Sequence, residues 1–337
     1  MRTLVIGGSV FLGHAIVEEA LRRGHEVTTF NRGRSAADVP GVSPVRGDRE
    51  DPAAVEALAS GGEWDAVVDV CGYTPSVVAL SARALSGRAA TYAFVSTLNA
   101  LSGWPAARVD ETAPLQECSP DAGPGDGDYG VLKAGCERAV EAYFDGAALM
   151  IQPGLILGPR ENVGRLPAWL RRAARGGRML APGDPGRPMQ LIDARDIAAF
   201  TLDHAEKGTS DRFITTGPAG NTTYGDWLAE CVAVTGAGAE PVWVDDRFLL
   251  DREVEPWSEL PLWTPADPES AAVWDVPTGK AAAAGLRCRP VAETVRDTWA
   301  WLRDEDVEAL EARLPSWRRH GIEPAKEARI LAAWDAR

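Results

Sequence analysis

The chain has 337 residues, of which 45% are hydrophobic and 25% charged, so it is long enough to build a large apolar core. Its net charge of −14 argues against nucleic acid as a partner, because polyanion binding depends on clustered lysine and arginine. No apolar run is long enough to cross a membrane, and five scattered cysteines favour a reducing, cytoplasmic location. The four histidines show no ligand spacing, so we expect no metal site.

The first elements predict a strand, a glycine turn and a helix. Thr3–Ile6 reads as a buried strand, and residues 15 to 23 read as a helix. Glycines let the backbone approach a pyrophosphate, and the N–H groups at the start of a helix favour its negative charge. A structural turn without ligand is the alternative. The residues predicted to contact a dinucleotide here are Gly7, Ser9, Val10, Phe11, Leu12 and Gly13.

A second strand, from Glu26 to Asn31, is followed by Arg32 and Arg34. An acid at the end of this strand is typical of NAD binding, whereas a basic residue accommodates the additional phosphate of NADP. The segment offers Asn31 and two cations, so it favours NADP(H), with NAD(H) as the alternative cofactor. Two surface arginines without a ligand are the structural alternative.

The next two strands end in small or polar residues. Ser43–Arg46 leads to Asp48 and Arg49, and the strand from Trp64 leads to Val70, Cys71 and Gly72. Strands of this kind that alternate with alanine-rich helices predict an α/β fold, a Rossmann-type doubly wound parallel sheet with ligands at its carboxyl edge. We therefore add these five residues to the predicted cofactor site.

A fifth strand ends at Ser96 and Thr97, and Tyr129 and Lys133 follow on a predicted helix. Residues four apart on a helix project from one face, so the ammonium of Lys133 can lie near the phenol of Tyr129. A neighbouring cation lowers the pKa of a phenol, as a general acid or base requires.

These motifs together resemble the extended short-chain dehydrogenase/reductases, the NAD-dependent epimerase/dehydratase family, and specifically an atypical branch of it. The matches are the glycine turn, Asp48, the fifth strand Tyr92–Thr97, the Tyr129–Lys133 pair, Gln152–Arg160 as the sixth strand and the segment beside the nicotinamide, and Asp193–Ala198. Val10 departs from the pattern, because it replaces the middle glycine of the turn.

The resemblance implies a catalytic triad of Thr97, Tyr129 and Lys133. Thr97 is preferred to Ser96 by its spacing from Leu101, which stands where relatives have a tyrosine. Thr97 would bind the substrate oxygen, Tyr129 would transfer its proton, and Lys133 would also bind the nicotinamide ribose. Ser96, Pro153 and Leu155 complete the implied cofactor site.

The implied function is an NADP(H)-dependent oxidoreductase that transfers hydride to or from a small carbonyl or hydroxyl compound. An epimerase acting by transient oxidation and a non-catalytic dinucleotide-sensing or RNA-associated protein are the alternatives. Leu98 and Asn99 replace the acidic pair of sugar dehydratases, which argues against dehydration. Met189 stands where nucleotide-sugar enzymes carry an arginine, with Arg187 two residues away, which disfavours a nucleotide sugar.

We expect residues 1–158, with a return segment at about 190–217, to form the nucleotide domain. Residues 159–189 and 218–337 should form a smaller, mixed substrate-binding lobe, with a lid at residues 255–265. One or two of its tryptophans should face the ligand; the candidates are Trp169, Trp227, Trp243, Trp257, Trp263 and Trp274. Helices beginning near Pro75 and Tyr129 correspond to the dimer interface of many relatives, so we expect a homodimer.

Overall fold

The structure is a computed structural model that describes all 337 residues. Its thirteen strands are β1 (Arg2–Ile6), β2 (Glu26–Asn31), β3 (Ser43–Arg46), β4 (Trp64–Asp69), β5 (Ala89–Val95), β6 (Ala147–Pro153), β7 (Leu155–Leu157), β8 (Gly177–Pro182), β9 (Pro188–Met189), β10 (Leu191–Asp193), β11 (Asp211–Thr215), β12 (Thr222–Thr223) and β13 (Ala239–Val244).

The twelve α-helices are α1 (Phe11–Arg22), α2 (Pro52–Ser60), α3 (Pro75–Leu85), α4 (Tyr129–Tyr143), α5 (Arg165–Ala174), α6 (Ala194–Glu206), α7 (Tyr224–Thr235), α8 (Asp246–Leu250), α9 (Gly279–Ala283), α10 (Val291–Leu302), α11 (Val307–Arg313) and α12 (Pro324–Asp335). Short 3-10 turns lie at Leu98–Ala100, Pro268–Ser270 and Pro315–Arg319. None of these helices combines the length and the apolar character that crossing a bilayer requires.

Seven parallel strands form the central sheet, in the order β3-β2-β1-β4-β5-β6-β11. This order confirms the predicted doubly wound parallel sheet. The direction of winding reverses beside β1, which lies between β2 and β4. At such a reversal the loops after adjacent strands diverge, so a ligand crevice opens at the carboxyl ends of the strands.

Alternating side chains of the strands build two apolar cores, one on each face of the sheet. Val5, Val68 and Ala93 pack with α1 and α6. Their neighbours Leu4, Val67 and Tyr92 point the other way and pack with α2, α3 and α4. The period of two in a strand explains why these runs are apolar throughout, since both faces of the sheet are covered by helices.

The sixth strand differs from its predicted position. It runs from Ala147 to Pro153, and after Gly154 the segment Leu155–Leu157 leaves the central sheet and pairs with β10. The interruption between β6 and β7 at Gly154 has a steric cause. A Cβ on Gly154 would lie 2.5 Å from Oγ1 of Thr216, so only glycine allows the two segments to approach so closely. The chain returns to the central sheet at β11, which pairs with β6.

The tryptophan-rich part of the chain forms the largest apolar core, which draws its residues from 157 to 331. Trp169, Trp227 and Trp263 are almost completely buried in it. The segment 255–265 packs into the same core, and the carbonyl of Pro261 accepts hydrogen bonds from Trp169 and Tyr224. The prediction that this segment is a lid is therefore wrong, because its packing into the core holds it in place.

Candidate active site

A cavity of about 730 Å³ lies at the carboxyl ends of the central strands. Its lining includes every predicted catalytic and cofactor residue except Gly72. None of the six tryptophans proposed as ligand contacts lines it. A second cavity of about 580 Å³ lies where β1 and β2 begin and contains none of the predicted residues. The first cavity is therefore the candidate site, as expected for a parallel sheet of this topology.

The glycine turn lines the cavity and packs closely against Val70, which follows β4. A Cβ at Gly7 or Gly13 would lie 2.7 or 2.9 Å from Cγ2 of Val70, so larger residues would fill the space. Val10 is the extended N-cap of α1, and no side chain caps the helix. The first N–H groups of α1 therefore remain free to bind an anion, and the turn fits a pyrophosphate despite the valine.

Asn31 braces the turn through its side-chain amide. Its Nδ2 donates to the carbonyl of Gly7 at 3.4 Å and to Asp38 at 3.2 Å. Its Oδ1 accepts from the N–H of Gly33 and from Arg46, which also pairs with Asp38. All polar atoms of the amide are thus bound within the protein, so Asn31 lines the cavity mainly as a support. Sequence reasoning missed Asp38 and Arg46.

The cations predicted to select the cofactor stand at the rim of the cavity. Arg32 and Arg34 are both exposed and line it. Arg32 lies 3.8 Å from the carboxylate of Asp48, a loose pair in which both side chains are about half exposed. Such a pair is weak in water, so Arg32 can leave it for a phosphate.

Arg49 belongs to a buried network beneath the cavity floor. Its guanidinium makes two 2.7 Å hydrogen bonds to Asp69, and the hydroxyl of Tyr92 donates to the same carboxylate at 2.8 Å. Burial alone would raise the pKa of Asp69, but Arg49 holds it below its ordinary value. The Arg49–Asp69 ion pair fixes the ends of β4 and β5. It also occupies the guanidinium of Arg49, which therefore has little freedom to bind a ligand.

Thr97 and Tyr129 are brought together by a close contact between the turn Leu98–Ala100 and the start of α4. Thr97 begins the turn Leu98–Ala100, and its Oγ1 accepts a hydrogen bond from the N–H of Asn99 at 3.2 Å. Gly130 packs against that turn so tightly that a Cβ would lie 2.3 Å from the carbonyl oxygen of Asn99. Glycine beside the tyrosine therefore lets the start of α4 approach Thr97.

Lys133 lies one turn along α4, almost completely buried. Its Nζ donates to the carbonyls of Gly72 at 2.8 Å and of Val95 at 2.6 Å, and it lies 4.2 Å from the ring centroid of Phe94. Burial lowers its pKa from 10.5 to about 8. The predicted role of Gly72 is thereby changed, because its carbonyl orients Lys133 while the residue itself lies outside the cavity lining.

The expectation that Lys133 lowers the pKa of Tyr129 is not met in this structure. The pKa of Tyr129 is raised, chiefly by desolvation of the hydroxyl, although the side chain as a whole is 49% exposed. Thr97 and the charge of Arg165 act in the opposite direction. Lys133 is instead held by the two carbonyls, and the phenol keeps its proton at neutral pH.

Several residues that the sequence did not single out complete the cavity. Tyr73 is 57% exposed, and its ring centroid lies 6.4 Å from that of Tyr129. The others include Trp104, Asn162, Arg165 and Arg313. Arg313 lies 184 positions after Tyr129 in the chain, far outside any local motif, so only the folded structure reveals that it reaches the site.

The substrate end of the cavity contains no carboxylic acid. Leu98 and Asn99 line it, and neither can protonate a leaving hydroxyl or abstract a proton at neutral pH. Arg187 is held away from the cavity by Asp246, at 2.6 Å, and by the carbonyl of Thr264. Both observations agree with the sequence-based arguments against dehydration and against a nucleotide sugar.

Comparison with known proteins places these features in a family. The sequence model of the NAD dependent epimerase/dehydratase family matches residues 3–214. The chain is 30% identical over 207 residues to 2'-dehydrokanamycin reductase of Streptomyces kanamyceticus, covering 59% of this chain and 56% of that protein. It is 31% identical over 225 residues to 2-alkyl-3-oxoalkanoate reductase of Stenotrophomonas maltophilia (strain K279a), covering 59% and 64%. The match thus spans less than two thirds of either relative.

Among solved structures, the Bordetella bronchiseptica enzyme WbmH in complex with NAD+ has the same fold. The TM-score is 0.67 at 16% sequence identity, and the superposition covers 90% of this chain and 98% of that one.

Proposed function

Because this chain belongs to the NAD dependent epimerase/dehydratase family, we propose that it is an NADP(H)-dependent reductase of a small carbonyl compound. The observation that carries the proposal is that Thr97, Tyr129 and Lys133 line the same cavity as the glycine turn. A dinucleotide at the turn and a substrate beside the tyrosine would therefore meet. Two relatives named as reductases support the direction of the reaction.

The residues present fit the dinucleotide. The Gly7 and Gly13 cradle and the uncapped start of α1 would hold its pyrophosphate, and Asp48 would face its adenine side. Lys133 would bind the nicotinamide ribose. Ser96 offers a buried hydroxyl that has no partner in the protein. When bound, the reduced cofactor supplies the hydride.

Side chains of the protein would bind the substrate oxygen and transfer a proton to it. The Oγ1 of Thr97 already accepts from Asn99, so its proton is available to be donated to a carbonyl oxygen. Tyr129 would transfer its phenolic proton to the same oxygen as negative charge develops there. We propose that residues 159–189 and 218–337 bind the remainder of the substrate, because Asn162, Arg165 and Arg313 come from this part of the chain.

The test is a panel of small aldehydes and ketones offered with NADPH, followed by the loss of nicotinamide absorbance. We expect turnover with at least one class of carbonyl compound. Tight cofactor binding with no turnover on the whole panel, and none on the corresponding alcohols with NADP+, would indicate a dinucleotide-binding protein instead.

For cofactor choice, we predict that NADPH binds more tightly than NADH and that Arg32→Ala weakens NADPH alone, by about tenfold or more. The arginine would form charge-assisted hydrogen bonds to the ribose phosphate, which NADH lacks. Titration of both cofactors by fluorescence or calorimetry measures this, with NADH as the internal control. Equal affinities in the wild type, or an equal loss for both cofactors in the variant, would show that Arg32 does not read the phosphate.

We also propose that the protein is a homodimer formed by α3 and α4. The inner faces of both helices share one core, whereas Val77, Leu80 and Val131 are only half buried. A partner would cover these side chains. Light scattering at micromolar concentration should give twice the mass of one chain, and Val77→Glu should shift the mass towards that of one chain. A wild-type mass of one chain would refute the dimer.

A cytoplasmic location is proposed on chemical grounds. All five cysteines are free, and Cys136 and Cys231 are fully buried. Burial raises the pKa of the Cys136 thiol to about 12, so this cysteine stays protonated and unreactive. Unpaired cysteines of this kind are typical of proteins that work in a reducing compartment.

A further inference from the structure

Two arginines at the substrate end of the cavity form no salt bridge, although the charge of Arg165 partly offsets the rise that burial causes in the pKa of Glu161. Arg165 and Arg313 both line the cavity, and neither forms an ion pair within 4.0 Å. Two other arginines of α5 behave differently: Arg171 pairs with Glu311 at 2.7 Å, and Arg172 pairs with Glu327 at 2.7 Å. The chain has 49 acidic against 35 basic residues, so acidic partners are plentiful. Unpaired cations in a cavity of so acidic a protein point to an anionic ligand.

The start of helix α5 is not itself the binding group. The N–H groups of Arg165 and Leu166 already donate to the buried carboxylate of Glu161, at 2.9 and 3.1 Å. The backbone donors that would cradle a phosphate are therefore occupied. What remains free is the guanidinium of Arg165, whose planar pair of N–H donors matches the two oxygens of a carboxylate.

Arg165 also lines the same cavity as Tyr129, the proposed proton donor. Its charge acts on the phenol of Tyr129 and offsets part of the rise in pKa that burial causes. A group bound by Arg165 would thus lie close to the reacting carbonyl. Arg313, at the end of α11, is exposed at the mouth of the same cavity, where it would attract an anion from solution.

We propose that Arg165, assisted by Arg313, binds a carboxylate of the substrate, so that the compound reduced is a small oxo acid. This inference rests on the proposed reductase function and specifies its substrate class. Arg165 is a specificity-determining residue in this proposal, and the proton transfer is left to Tyr129.

The first test compares oxo acids with their methyl esters, which keep the carbonyl and lose the charge. Pyruvate, 3-oxobutanoate and 4-oxopentanoate vary the distance between the two groups. We expect the wild type to prefer at least one acid to its ester, and Arg165→Ala to lower kcat/KM for that acid by about 10- to 100-fold, with less than about threefold change for the ester. Arg165→Lys should recover part of the loss, and Arg313→Ala should mainly raise KM.

Arg318→Ala is the matched control. Arg318 is an exposed arginine close to Arg313 in the chain, has no ion pair, and does not line the cavity. Its loss removes the same charge from the protein and should leave kcat/KM for the acid unchanged. Unchanged melting temperature and NADPH affinity in Arg165→Ala would show that the variant is folded. Equal losses on acid and ester, or an equal effect of Arg318→Ala, would overturn the carboxylate site.

A binding measurement separates this inference from the reductase function. Calorimetry with malonate on the complex of the protein with NADP+ needs no turnover. Binding by the wild type and its loss in Arg165→Ala would support the site even if no carbonyl compound were reduced. Reduction of uncharged ketones together with absence of malonate binding would overturn the site and leave the reductase intact. Tighter competition by inorganic phosphate than by malonate would overturn the assignment to a carboxylate.

Discussion

Replacing Tyr129 with phenylalanine should lower turnover by a factor of about 10² to 10⁴. The change removes one hydroxyl from a side chain that is 49% exposed, so it leaves the apolar cores and the glycine turn untouched. Desolvation raises the pKa of this phenol, so the proton is present at neutral pH and available to a carbonyl oxygen. Without it, the developing negative charge has only the hydroxyl of Thr97 as a donor. Steady-state kinetics with NADPH and the best substrate measures the effect.

Tyr73 provides a sharp comparison for this experiment. It carries the second exposed phenol of the same cavity, and burial raises its pKa to about 12. Thr97 acts on the pKa of Tyr129 but is not among the groups that act on that of Tyr73, so Tyr73→Phe should lower turnover by less than about threefold. Wild-type turnover in Tyr129→Phe would refute the role of Tyr129. A loss of 10² or more in Tyr73→Phe alone would identify Tyr73 as the proton donor instead.

The central sheet could be predicted from the sequence because its signals are local. Runs such as Leu4–Ile6 and Val67–Val68 are apolar on both faces, and a glycine or a polar residue follows each of them. Such runs specify buried parallel strands with loops at one edge. The cavity residues that follow directly after those strands were predicted for the same reason.

The contacts that decide what each side chain can do are not local. Arg49 is committed to Asp69, 20 residues away, and Lys133 to the carbonyl of Gly72, 61 residues away. A spacing rule places Tyr129 and Lys133 on one helix face but does not reveal which acceptors compete for the ammonium. The unpaired state of Arg165 is equally invisible, because Arg171 and Arg172 on the same helix look identical in sequence and are paired.

Lys133→Met should reduce turnover and cofactor affinity together, each by about tenfold or more. The ammonium is the donor to the carbonyls of Gly72 and Val95, which follow β4 and end β5, so it holds two walls of the cavity at a fixed separation. Methionine fills a similar volume but leaves both carbonyls without that donor and removes the group proposed to bind the ribose. Lys207→Met, which removes an exposed lysine outside the cavity, is the matched control.

The pH dependence of binding tests the same role by an independent route. Because burial lowers the pKa of Lys133 to about 8, the ammonium loses its proton as pH rises through that value. A neutral amine is a weaker donor to the ribose hydroxyls, so the dissociation constant of NADPH should rise between about pH 7 and about pH 9 in the wild type and in Lys207→Met. In Lys133→Met the affinity should be low and nearly constant over this range. If the variant retained the wild-type pH dependence, the titrating group would lie elsewhere, and if it retained wild-type affinity, the ribose contact of Lys133 would be refuted.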